Sequence, residues 1–505
     1  MKSISLLRLL SATLVAFSLS SFTSAQSFQR TIYTDPRTPS DVFTADLNHD
    51  GKLDLLTTPF DGQTFTVFLN HGDGTFPNGG SADYLVDGDD INRVVAADFN
   101  GDGIVDVATQ GCGSGGPAIS VHFGNGDGTF VESRDYDLPF PDPPFPSSCT
   151  DEIGFITLAH TTLPSLLVSS NDQQISILVN NGQGFFTQPQ STAVKMQSVL
   201  GAPGTRLSGA SSGDYNGDGL QDIAAISTDA NGTTKHVVIF YQNADGTFRS
   251  PVTIFTSDAG LQSTHTVDLN GDTKGDLLIP FFGGPTKLAG VVALTNLGGG
   301  SFRSTTLTVD PFYIGVGPKP ASIHPVGKNP GLRGILLPLA EDNSIVKTEP
   351  VIALFPAQGT GWGAPIYLGD PGGTGPQAVV NGDFNGDGRP DFAVVDKNNQ
   401  LLVFLNTTTA NTCPYPSGSA ITICSPANGA TLSSTTVQIH VAANSGIDLP
   451  IDSITATIDG IQVAASDMGT LDASVTAGKG PHTLAILATD AVGNQGHRSA
   501  TFTVQ

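Results

Sequence analysis

Glutamate is almost missing from this chain: Glu132, Glu152, Glu341 and Glu349 stand against 42 Asp. Lys and Arg together number 22 against 46 acids, and the formal charge of −24 repels nucleic acid and anionic membrane surfaces. After residue 25 no stretch approaches the roughly 20 apolar residues of a membrane span, which predicts no membrane insertion. Helical periodicity is absent as well, so a helical fold is not expected. The ten His sit singly, without triad or metal-ligand spacing, and tryptophan occurs once, at Trp362 in a repeated turn. The chemistry of general acids and bases therefore has few candidates here.

What is present begins with Lys2 and Arg8 ahead of an apolar run from Leu9 to Leu19 and small residues Thr23 and Ala25. That order predicts a secretory signal peptide over residues 1–25 and hence a secreted protein. Four cysteines in an exported chain allow three pairings. Proximity favours Cys413 with Cys424, a short loop whose closure is worth about 3 kcal/mol in the chain-entropy model, and leaves Cys112 with Cys149.

The aspartates are concentrated rather than spread. A nine-residue pattern, D-x-N-x-D-G-x-x-D, occurs five times and holds 15 of them. Its copies are Asp46, Asn48, Asp50, Asp54; then Asp98, Asn100, Asp102, Asp106; then Asp214, Asn216, Asp218, Asp222. The fourth, Asp268, Asn270, Asp272, Asp276, carries Thr273 where the others have glycine, and Asp383, Asn385, Asp387, Asp391 complete the set. Carboxylate, amide and backbone oxygens at alternate positions of a tight loop suit a hard cation, and Ca²⁺ is the expected ion, about five per chain.

A second signal follows each loop: an apolar strand, a glycine-rich turn and an aromatic, as in FTVFLNHGDGTF at 65–76. Six further copies follow at 119–130, 175–186, 237–248, 291–302, 351–362 and, truncated, 401–408. The loops start 52, 116, 54 and 115 residues apart, so each long gap holds two units, one of them lacking a loop. Four short strands per unit of about 50 residues describe a propeller blade, and seven units predict a seven-bladed β-propeller over residues 26–408. The last unit lacks its outer strand. Residues 27–33 resemble that missing piece, and we expect them to complete the seventh blade and lock the ring.

Residues 409–418 read as a linker. From residue 419 to 505 the pattern changes to alternating strands such as VQIHVAA and HTLAILATD, the outline of a small immunoglobulin-like β-sandwich. The expected fold is all-β throughout.

The acidic loops with G-D-G-T-F turns resemble FG-GAP (VCBS-type) repeats of secreted bacterial proteins and the integrin alpha-subunit head, and the tail is similar to bacterial Ig-like modules. The resemblance implies calcium in loops joining the first two strands of a blade. It assigns side-chain ligands to positions one, three, five and nine, and a backbone carbonyl to position seven: Lys52, Ile104, Leu220, Lys274 and Arg389. Thr273 departs from the pattern, which predicts a weaker fourth site.

Structural calcium places recognition on the opposite face, where insertions fall at 111–117, 135–152, 229–235 and 341–349. The favoured function is a monomeric binding or adhesion module for an extracellular protein or glycan, without enzymatic activity. A propeller-based polysaccharide lyase or hydrolase, and a structural module of an envelope assembly, are the alternatives.

Overall fold

The structure, a computed structural model, describes residues 28–505 except 60–63, 77–83, 86–89, 114–115, 132–133, 138–151, 171–173, 188–205, 283–287, 310–314, 317–318, 324–332, 341–350, 359–360, 370–374, 397, 408–412, 414–419, 445–450, 467–468 and 491–492. The signal segment, Cys149, the Cys112 side chain, the 341–349 insertion and all of the linker but Cys413 fall outside the described residues.

The described residues contain strands and turns but no helix. Strands form where β-branched, aromatic and leucine residues run between Asp, Asn and Gly turns. Over residues 28–406 they assemble into seven open antiparallel sheets, none of which closes on itself. In the second sheet Asp90–Ala97, Asp106–Gly113, Gly116–His122 and Arg134–Asp137 lie side by side in chain order. The third and sixth, which lack an acidic loop, are built around Ser165–Ser170 and Gly334–Ala340. The segment at 111–117, read from sequence as a loop insertion, instead extends a hairpin, with Cys112 opposite Pro117 and Gly113 opposite Gly116.

The seventh sheet is completed from the other end of the chain. Strand Phe28–Thr34 pairs antiparallel with Gln400–Asn406, Phe28 opposite Asn406 and Thr34 opposite Gln400. That is the closure expected from the sequence, displaced by one residue.

A separate apolar cluster fills the gap between each pair of consecutive sheets. Leu56, Phe65, Val94 and Val107 lie between the first and second, and Val95, Val121, Leu166 and Leu178 between the second and third. The series continues through the remaining sheets. It ends with Val42, Phe68, Ala393 and Val403 between the seventh and the first. Both faces of each middle strand are thus buried, which is why Asp54–Pro59 and Asp391–Asp396 are buried along their whole length. This is the packing of a β-propeller. The innermost strands line an axial cavity of about 530 Å³. Lys319 Nζ meets Asp41 Oδ1 there at 2.8 Å, and Arg93 Nε lies 3.6 Å from Glu152 Oε1.

Residues 420–505 form two further sheets. One contains Ala420–Ser425, Thr436–Asn444 and Thr470–Thr476; the other includes Ile451–Ile458, Gly480–Asp490 and Gln495–Val504. The alternation seen in sequence buries Val437, Ile439 and Val441 of the first sheet against Ile454, Leu484, Ile486 and Phe502 of the second. Cys413 and Cys424 are joined by a disulfide with Cα atoms 5.4 Å apart.

Candidate cation-binding loops

All five acidic loops join adjacent antiparallel strands of one sheet; the fourth follows His265–Val267, the second of two short strands that pair with Asp276–Phe282. Their backbone is the same five times over, because each carboxylate has a set task. At position one, an Oδ of Asp46, Asp98, Asp214, Asp268 or Asp383 accepts the N–H of position six at 2.8–3.0 Å. The Asn at position three accepts from position five at 2.8–3.1 Å. Position five accepts the N–H of position seven, Lys52, Ile104, Leu220, Lys274 or Arg389, at 2.8–3.1 Å. Position six has positive φ in every loop: Gly51 82°, Gly103 85°, Gly219 83°, Gly388 77° and Thr273 67°. Thr273 therefore keeps the coil by taking a backbone that glycine adopts without steric cost.

Position nine is the anchor. Asp54, Asp106, Asp222, Asp276 and Asp391 open the strand after the loop and are fully buried. One carboxylate oxygen of each accepts the N–H of position two, at 2.7–3.1 Å. The other accepts the N–H of Asn70, Gly124, Gln242, Asn296 or Asn406, at 2.6–3.0 Å. Burial pushes these carboxyls up to about 6, and Asp391 to about 7, against the opposing pull of those amides. The carboxylates at position five, and at position one in every loop but the second, push the same way.

Among the described residues no group of three or more His, Cys, Asp or Glu side chains is already closed around an ion position. The donor set still fits a hard cation. It is all oxygen, it hangs on one recurring coil, and its negative charges raise one another's affinity for positive charge. In three loops a position-seven side chain supplies part of that charge: Lys52 to Asp50 at 3.1 Å, Lys274 to Asp272 at 2.7 Å and Arg389 to Asp387 at 3.3 Å. These pairs are solvent-exposed and individually worth little. Ile104 and Leu220 offer no such partner.

The raised carboxyls fix a pH dependence for protein held in chelator. Their folded values of about 6 to 7 lie above the unfolded value of about 3.9, so the folded state binds more protons between those limits. Stability should rise as pH falls from 8 to 5. Buried His122, lowered to about 4, works the other way as pH falls below about 6.5, but it is one group against five. Thermal melts in chelator check this, and a Tm that falls steadily over the same range contradicts it.

The sequence reading missed the amides that tie the loops together. Asn70, Asn180 and Asn296 each donate through Nδ2 to the position-two carbonyl of the preceding acidic loop. The bonds are Asn70 to Phe384 O at 2.8 Å, Asn180 to Phe99 O at 2.7 Å and Asn296 to Tyr215 O at 3.0 Å. Arg333 reaches Leu269 O at 2.8 Å, and the backbone N–H of Gly128 reaches Leu47 O at 3.1 Å. The signal was the Asn before the glycine-rich turn, shared by FTVFLN, ISILVN and VVALTN.

Residues 46–109 and 214–279 match the family model described as FG-GAP-like repeat. No curated protein matches the chain. Among solved structures, the extracellular domain of a hybrid two-component system from B. thetaiotaomicron is 10% identical. The alignment covers 94% of this chain and 57% of that one, with a TM-score of 0.40. This chain therefore spans less than two thirds of that structure's length. The Dos1 propeller is also 10% identical, over 73% of this chain and 78% of its own, with a TM-score of 0.40. With the cycle of sheets described above, the repeat match supports an FG-GAP-like repeat β-propeller.

Proposed function

We propose that the chain is an exported, seven-bladed propeller with an immunoglobulin-like tail, stabilised by calcium and serving as a binding module for an extracellular protein or glycan. The observation that carries the calcium reading is fivefold: one coil, one oxygen donor set and one buried anchor carboxylate recur in all five loops. Asp, Asn and the position-seven carbonyl would hold the ion, which supplies charge neutralisation and a cross-link between two strands. Because the ion sites occupy turns on one face, recognition is assigned to the opposite face and the axial cavity. The leader read from sequence fits export.

The test is an array of glycans and extracellular proteins, probed with calcium and with chelator. Calcium-dependent binding without turnover is the expected result. Turnover of a polysaccharide would replace this reading with the enzymatic one.

A further inference from the structure

The five position-two carbonyls share one feature: each is held by a donor from the next sheet around the ring. Position two lies between the ligands at positions one and three, and its own N–H is spent on the anchor carboxylate at position nine. Both peptide planes of that residue are therefore fixed, one from its own sheet and one from its neighbour. Rotation of either plane would swing the side chains on each side of it.

We infer that Asn70, Asn180, Asn296 and Arg333 are positioning residues for cation binding at the fifth, second, third and fourth loops. All three amides do more: Asn180 Nδ2 also donates to Pro164 O, just before the second strand of its own sheet, at 3.0 Å. Asn70 Nδ2 also donates to Leu53 O at 2.9 Å, and Asn296 Nδ2 to Gly275 O at 3.1 Å, each at position eight of its own sheet's loop. One side chain thus bridges the fifth loop to the first, and another the third to the fourth. An ion that orders position two strengthens the joint between sheets, and by reciprocity the joint strengthens ion binding. The third sheet shows the same device without acids: the Gln242 side chain bridges Gln221 O to Thr157 O and accepts the Ala159 N–H. A longer amide can therefore do the stapling.

The inference rests on the calcium reading, and calcium titration calorimetry on the whole exported protein separates the two. No uptake by the wild type defeats the calcium reading itself. Given five sites in the wild type, Asn180→Ala is expected to weaken one of them by about three- to tenfold, the value of one hydrogen bond, and to shrink the Tm gain on adding calcium. Asn180→Gln should restore both, whereas Asn180→Asp, which cannot donate, should not. Asn296→Ala gives the same reading at the third loop if the Asn180 variants do not fold. Unchanged ion affinities, with an equal loss of Tm in calcium and in chelator, would overturn the inference and leave the amides as ordinary interface contacts.

Discussion

Deleting residues 26–34 from the exported protein is expected to lower Tm by on the order of 10 °C, or to leave it insoluble. The strand Phe28–Thr34 is the outermost of the seventh sheet, and its loss bares the edge of Gln400–Asn406. More than edge pairing goes with it. Phe28 is buried against Phe392 with ring centroids 5.0 Å apart, and Phe392 stacks on Phe404 at 4.4 Å. Tyr33 packs edge-on against Phe76 at 5.7 Å, and its hydroxyl accepts the Phe76 N–H at 3.1 Å, which carries the closure across to the first sheet. Burying one Phe is worth about 1.5 to 3 kcal/mol before any cavity is counted. Phe28→Ala alone should therefore show a clear part of the effect. A melt unchanged by the deletion would mean that the ring holds without its closing strand.

Periodicity carried most of the fold because every unit repeats the same local task. Turn residues, the apolar second strand and the acidic coil all fall within one unit of about 50 residues, so each is visible in a short window. The closing strand was legible for the same reason, since Phe28 and its neighbours complete a pattern that six other units display. The joints between units were not. Asn70 and the carbonyl it holds are 314 residues apart, and Asn180 and Phe99 are 81 apart. Nothing local to Asn70 says that its amide faces another sheet rather than water. The axial pair of Lys319 with Asp41, 278 residues apart, was hidden in the same way. In the acidic loops sequence marked the recurring Asp and Asn positions, but it did not show that position nine is buried and claimed by two amides. That follows from where the second strand enters the sheet.

Chelation is expected to lower Tm by roughly 4 to 28 °C. If each loop binds calcium at about 0.1 to 1 mM, as extracellular modules do, millimolar calcium stabilises by about 0.4 to 1.4 kcal/mol per site and some 2 to 7 over five. Conversion at about 2 to 4 °C per kcal/mol gives the range. The loops should not contribute equally. In the second and third, Ile104 and Leu220 leave three carboxylates without a basic side chain at position seven. In the first, fourth and fifth, an ion must compete with Lys52, Lys274 or Arg389. Asp98→Asn and Asp214→Asn should therefore remove more of the calcium-dependent Tm than Asp268→Asn. The fourth loop also carries Thr273 at a φ of 67°, a left-handed backbone that costs about 1 to 2 kcal/mol. Glycine takes that backbone without steric cost, so Thr273→Gly should raise Tm. Melts of these four variants in both conditions give the ranking directly. Equal losses from all three Asp→Asn changes would mean that the basic side chains do not compete with the ion.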